Sequence, residues 1–277
     1  MAAPPSAAES RSGREVSAAA IRRVILEQSK RANVGHIGSS LSVADIMAAL
    51  YSGILRIPGA ADGERDRFVM SKGHAALALY AALHLSGRLD QAELNTFCAD
   101  DSRVGVHPQH SLAGVDFTTG SLGMGLSVAA GAALAARLQG SRRLAYALLS
   151  DAECNEGSVW EAAMFASHHR LASLVAIIDL NGQQAFGYTR DVLDLAPMAE
   201  KWRAFGWDVH EIDGHDLDGL KATFSQLDHL AGPPHVLVAR TIFGRGVSFM
   251  EGLIKWHYSP MSDEDYAKAL AEVGGAS

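Results

Sequence analysis

The sequence predicts an α/β fold: a parallel sheet covered by helices on both faces. From Arg142 onward, short apolar runs alternate with stretches of helical length: RRLAYALLS, EGSVWEAAMFASHHR, LASLVAIIDL, MAEKWRAFG, WDVHEI, LDGLKATFSQLDHL and PHVLVARTI. A helix-length segment between two strands is what a parallel crossover needs. The apolar runs also lack strict in/out alternation, as expected of strands buried on both faces. No linker, repeat or low-complexity tract divides the chain. Its 277 residues therefore read as one domain over 15–277, behind a disordered Pro/Ala/Ser-rich lead-in at 1–14.

Elements before Arg142 follow from periodicity and punctuation. EVSAAAIRRVILEQSKRA has helical apolar spacing, and the glycines of NVGHIGSSLS end it. SVADIMAALYSGIL is a second helix, with Ser42 as N-cap and Asp45 three residues on. DRFVMS is a short strand, and GHAALALYAALHLSG a helix stopped by Gly87. GSLGMGLSVAAGAALAARLQG opens on glycines and becomes a helix of small residues suited to close packing.

Composition excludes several roles. Net charge is −7, with 48% hydrophobic and 20% charged residues, and no basic run marks a nucleic-acid or anionic-membrane surface. No apolar run is long enough to span a bilayer, and the N-terminus lacks the apolar core of a signal peptide. The two cysteines, Cys98 and Cys154, form neither a disulfide framework nor a CxxC site, which points to a reducing cytoplasm.

Chemistry concentrates where strands end. Asp151, Glu153 and Glu156 follow the strand that closes at Leu149. Helix capping is one explanation for acids there; a metal ion is the other. Ligands of an open parallel sheet bind beyond the carboxyl ends of its strands. A right-handed crossover would bring Asp151 beside Asn181, at the end of the next strand. The turn at Gly182 could then add the Gln183 carbonyl. Such an oxygen set suits Mg²⁺, whose remaining positions go to waters and phosphates. Glycine-rich TTGSLGMG could offer backbone donors to those phosphates. His36, His74, His107 and His257 all occupy loops or helix starts, a pattern that fits a polar pocket.

Seven segments occur in order: GHIGSSLSVADIMAALY, DRFVMSKGHAALALYAAL, TTGSLGMGLSVAAGAALAARL, SDAECNEGSVWEAAMFASHHRL, IDLNGQQ, KWRAFGWDVHEIDGHD and GRGVSFME. Together they resemble the N-terminal half of transketolase, most closely the split type whose two halves are separate subunits. The resemblance covers nearly all of the chain after the lead-in. It implies the diphosphate-domain fold that binds thiamine diphosphate and the transfer of a two-carbon ketol unit from a ketose to an aldose, free or phosphorylated. It implies that Asp151, Asn181 and the Gln183 carbonyl ligate Mg²⁺, or Ca²⁺ or Mn²⁺ in its place. Gly120 and Leu122 would lie against the cofactor rings, with Ser121, Ala152 and Glu153 also at the cofactor. His74 and His257 would face the diphosphate and the reacting centre. His36 and His107 would bind sugar hydroxyls or the carbonyl oxygen. Glu156, grouped with the four histidines as catalytic, and Glu161 look like acids buried at the family's subunit contact.

The resemblance also implies a missing half. In this family a glutamate on a neighbouring pyrimidine-binding domain activates the cofactor. A C-terminal subunit carrying that domain and a further C-terminal domain would complete the site, in a heterotetramer of two plus two. This chain departs from the pattern in places: Ser150-Asp151-Ala152 stands for Gly-Asp-Gly, Val106 for a glycine, Met124 for a polar residue, Phe243 for a lysine and Tyr258 for a glycine. Several departures fall on the substrate side and hint at a donor or acceptor outside the pentose phosphates. The alternatives are an acyloin-forming or 2-oxo acid decarboxylating subunit, and a non-catalytic partner. The retained histidines and the Asp151/Asn181 pair weigh against both.

Overall fold

A computed structural model describes residues 16–57 and 63–275. The lead-in at 1–14 lies outside the described residues. Among them, five parallel strands form the main sheet: β1 (Arg67–Met70), β2 (Ala145–Ser150), β3 (Leu174–Leu180), β6 (Asp208–Asp213) and β7 (His235–Arg240), in the order β1-β2-β3-β7-β6. A two-stranded hairpin, β4 (Gln183–Gln184) and β5 (Gly187–Tyr188), projects past β3.

Helices close both faces. On one lie α1 (Ala18–Ala32), α2 (Ile37–Ser42), α3 (Ala44–Ala49), α4 (Ala76–Leu85) with the short α5 (Gln91–Leu94), α10 (Leu217–Gln226) and α12 (Asp263–Gly275). On the other lie α6 (Gly125–Leu138), α7 (Gly157–His168) and α9 (Met198–Ala204). Two single turns, α8 (Thr189–Val192) and α11 (Lys255–Tyr258), lie in the loops beyond the strand ends. β2 shows why the apolar runs carry no polar alternation. Tyr146 and Leu148 enter the first core, while Ala145, Ala147 and Leu149 enter the second. Each fully buried Leu or Ile contributes about 1.5–3 kcal/mol. Gly87 ends α4 as expected: its φ is 72°, and the Arg88 N–H donates to the Leu83 carbonyl at 2.8 Å.

The second helix differs from expectation. Helical structure begins at Ile37, behind His36 in the left-handed region at φ 59°, and Ser42 is the last residue of α2. Ser42 is therefore not an N-cap: its hydroxyl donates to the Asp179 carboxylate at 2.8 Å. Asp45 does not support a cap either, because its carboxylate pairs with Arg22 and His215. Buried charges outcompeted the local capping geometry, since leaving them unpaired costs more than one cap supplies.

Candidate active site

The site gathers at the carboxyl ends of β1, β2, β3 and β7. Ser150 pairs with Asp179 in the β2/β3 register, which sets Asp151 over the following Asn181-Gly182 turn. One Asp151 oxygen accepts from the Ala152 N–H at 2.8 Å, and the other from the Gly182 N–H at 2.8 Å. The carboxylate thus caps the turn Ala152–Asn155 and also ties the two strand ends together. Asn181 Oδ1 accepts from the Gln183 N–H at 2.9 Å, and its Nδ2 donates to Asp179 at 2.8 Å. Asp151 is only 3% exposed. Burial, reinforced by the like charge of Asp179, pushes its carboxyl up to about 7. A cation placed beside it would favour the ionised form.

Beneath this pair lies an ion pair that the sequence alone did not reveal. The Lys72 and Asp179 side chains meet there, both fully buried. Asp179 also accepts from Ser42, Asn181 and Thr241, and the Lys72 ammonium donates to the Ser39 carbonyl at 3.2 Å. Lys72 leaves β1, Asp179 belongs to β3 and Thr241 follows β7, so the pair ties three strand ends together. An acid inside the apolar run LVAIIDL was the available signal.

Three of the predicted histidines meet. Ring centroids are 5.3 Å apart for His36 and His257, and 5.7 Å for His74 with either one. The His36 N–H donates to the His257 carbonyl at 3.1 Å, which locks the two loops. Phe243 stacks on His257 at 6.0 Å with a 10° interplanar angle. His107 is exposed beside Gly120: a Cβ on that glycine would meet the His107 ring at 3.1 Å. Burial lowers the His36 ring first, with His107 adding to it. Burial and the Lys72 charge hold His74 well below its ordinary value. Burial, then His36 and Lys72, lower His257 to about 4. The three rings are therefore neutral at neutral pH. Nδ1 of His36 and Nδ1 of His257 are buried with no hydrogen-bond partner among the described residues.

The Gly120–Gly125 loop borders this cluster. Gly73 lies so close that a Cβ there would meet the Gly120 nitrogen at 2.9 Å, and Gly120 itself has φ 147°. Ser121 and Leu122 are exposed on the loop, and Ala152 is half-buried behind Asp151. Glu153 turns inward: fully buried, it accepts from the Ser71 hydroxyl, the Gly123 N–H at 2.9 Å and the Ser150 N–H at 3.2 Å. Its carboxylate braces the loop. Burial raises its pKa, and those hydrogen bonds hold it back. Glu156 and Glu161 are not brought into the histidine cluster; both are exposed on or next to α7, alongside the exposed Met164 and Phe165.

The family profile described as "Transketolase, thiamine diphosphate binding domain" matches residues 14–276. The chain is 40% identical over 254 residues to a subunit of the apulose-4-phosphate transketolase of Phocaeicola vulgatus, spanning 91% of this chain and 90% of that one. It is 41% identical over 256 residues to the 6-deoxy-6-sulfo-D-fructose transketolase subunit SqwG of a Clostridium species, spanning 91% of this chain and 93% of that one. A crystal structure of transketolase from Campylobacter jejuni superposes with TM-score 0.87 at 31% identity, covering 94% of this chain but 42% of that one.

Proposed function

The chain belongs to the transketolase family as its thiamine-diphosphate-binding part, and from that premise we propose that residues 15–277 act as one domain within a two-component ketol transferase. The chain carries transketolase-type transferase function, and thiamine diphosphate is the cofactor of the matched domain. When bound, that cofactor supplies the carbon nucleophile for two-carbon transfer.

Features of this chain fit such a group. The close approach of Gly73 to Gly120 leaves backbone where a side chain would intrude. Two buried imidazole nitrogens of the cluster, Nδ1 of His36 and of His257, have no partner among the described residues. The buried acids Asp151 and Asp179 share one buried lysine, so negative charge exceeds positive beneath the site. Asp151, Asn181 and the Gln183 carbonyl form an all-oxygen donor set, which supports Mg²⁺, with Ca²⁺ or Mn²⁺ as substitutes. Gly120, Ser121, Leu122 and Ala152 would border the cofactor, while Glu153 shapes their loop from below. His74 and His257 would face the diphosphate and the reacting centre. His36 and His107 would hold sugar hydroxyls or the carbonyl. Neutral imidazoles both donate and accept, so the cluster suits a polyhydroxylated substrate, phosphorylated or not.

The observation that carries this reading is the Asp151/Asn181 pair, held at adjacent strand ends by the β2/β3 register. The chain spans nearly all of its subunit-type relatives but about two-fifths of the full-length transketolase of Campylobacter jejuni. We therefore assign the remaining half of the site to a C-terminal subunit bearing the pyrimidine-binding domain, in a heterotetramer of two plus two. Exposed Met124, Met164 and Phe165, with Glu156 and Glu161, would face it. Two unpaired cysteines fit a cytoplasmic home, and no helix among the described residues is long and apolar enough to cross a membrane.

The test is calorimetric titration of thiamine diphosphate into the complex purified through this chain. Saturable binding that vanishes without Mg²⁺ and in Asp151→Ala is expected, along with loss of ketol transfer in that variant. Unchanged activity in Asp151→Ala would reduce the chain to a non-catalytic partner.

A further inference from the structure

At the opposite, amino-terminal end of the sheet a second cluster of ligating side chains appears. Asp208 and His210 sit two apart on edge strand β6, so they share one face. His235 opens β7 directly opposite Asp208 in the parallel register, on the same face. A single oxygen, Asp208 Oδ2, lies 3.1 Å from His210 Nε2 and 3.0 Å from His235 Nδ1. All three ligand atoms fall within 4.8 Å of one another. Side-chain exposure rises from 4% at His235 through 30% at His210 to 47% at Asp208, so the cluster opens to solvent on one side.

Hydrogen bonding explains why this is more than a polar edge. His235 Nε2 stands 2.8 Å from the Asp228 carbonyl, which can only accept. Nε2 therefore carries hydrogen. In the neutral ring, Nδ1 then points a lone pair at the Asp208 carboxylate, and two acceptors face each other at 3.0 Å. A proton or a metal ion must lie between them. A metal-bound histidine typically donates its second N–H to a carbonyl in this way, which fixes the tautomer for ligation. The Asp228 carbonyl is itself held, because the Asp228 side chain accepts from the Leu230 N–H at 2.9 Å. Bonds of about 2.0–2.1 Å to a tetrahedral ion place its ligand atoms roughly 3.3 Å apart. The observed 3.0 and 3.1 Å edges need only a few tenths of an ångström of adjustment, while the third edge, between the two imidazole nitrogens and within 4.8 Å, would have to close on the ion.

We propose that Asp208, His210 and His235 form a site for a borderline divalent ion such as Zn²⁺, with water in the fourth position, separate from the Asp151 site. Two imidazoles and one carboxylate match such ions better than Mg²⁺ or Ca²⁺, which favour oxygen alone. The ion would clamp edge strand β6 to β7 where the segment after α10 folds over them. No part of this depends on the reading of the cofactor site.

Co²⁺ is the probe, added alone to the untagged, full-length, chelator-treated chain without thiamine diphosphate. One equivalent should bind with the intense visible absorption of a tetrahedral ion, and Zn²⁺ should displace it. His210→Gln and Asp208→Asn alter half-exposed or exposed residues and should each weaken binding by at least about 10-fold. The double variant His168→Gln/His169→Gln removes another histidine pair and should leave binding unchanged. Only the weak absorption of an octahedral ion, or unchanged affinity in His210→Gln, would overturn the proposal. The cluster would then be an imidazolium–carboxylate ion pair.

Discussion

Replacing Lys72 with methionine should be among the most damaging single changes near the site. The substitution keeps length and removes the ammonium from a pair whose side chains are both fully buried. Asp179 would keep donors from Ser42 and Asn181 at 2.8 Å and from Thr241, so it would not be wholly unsatisfied. It would lose its only buried cation while facing Asp151 across the strand ends, and the Lys72 charge that lowers the Asp151 carboxyl would be gone as well. Breaking a buried pair costs about 3–5 kcal/mol. The surviving donors argue for the lower end, near 3 kcal/mol, a large share of the 5–15 kcal/mol typical of a folded domain. With a urea m-value of roughly 3 kcal/mol/M, the midpoint should fall by about 1 M. Asp179→Leu alone should cost at least as much, because it strands the ammonium against the Ser39 carbonyl. The double variant should lose much less than the sum, since neither buried charge remains. A coupling energy near 2 kcal/mol or more is expected from such a cycle. Urea unfolding of the full chain, followed by circular dichroism, reads all four corners. A loss under about 1 kcal/mol in Lys72→Met, or strict additivity, would refute the claim that this pair holds the strand ends together.

Other expectations follow from the same geometry. His257 has a folded pKa near 4 against an ordinary 6.5, so the unfolded chain binds its proton first as pH falls. Wild type should therefore lose stability relative to His257→Gln between pH 6.5 and 4, by at most about 3 kcal/mol, and show no relative change above pH 7. The variant difference is the proper readout, because Asp151, pushed up to about 7, gains stability over the same interval. Gly73→Ala should cost about 1–3 kcal/mol and weaken thiamine diphosphate binding, since its Cβ would press on Gly120 backbone at 2.9 and 3.0 Å. Thermal melting and cofactor titration check both effects. Glu153→Ala should strip the acceptor from the Ser71 hydroxyl and from two buried N–H groups, at about 2 kcal/mol or more. Loosened protection of Gly123 in amide hydrogen exchange would report it.

Much of the architecture was legible because it rests on local periodicity. Apolar runs separated by helix-length segments yield parallel strands, and β2, β3, β6 and β7 lie where those runs fall. The β4/β5 hairpin was not legible, since two residues per strand carry no period. Nor was the early start of helix at Ile37, because GHIGSSLS reads as a breaker until the neighbouring loop of His257 packs against it. Pairs joined only by topology stayed hidden. Lys72 and Asp179 are 107 positions apart, and Arg22, Asp45 and His215 meet from three separate segments. Glu153 shows a different limit: spacing placed it beside the site, but only the fold reveals that its carboxylate points down to Ser71 and Gly123.

The charge distribution divides the labour of the site. Three imidazoles within 6 Å of one another, above a buried lysine, cannot all be protonated without strong mutual repulsion. Phe243 sharpens this by covering one face of His257 with an apolar ring, packed so tightly that a Cβ on Gly38 would meet it at 2.1 Å. The upper layer is consequently a field of neutral donors and acceptors, suited to hydroxyl and carbonyl oxygens. The lower layer, Asp151 and Asp179 with only Lys72 between them, carries the charge imbalance that a cation would neutralise. The layers are coupled all the same, since the Lys72 charge lowers both His74 and His257. The outer face exposes Leu122, Met124, Leu253 and Tyr258 beside the charged Glu156 and Lys255, so a second polypeptide that covered it would have to pair those ions.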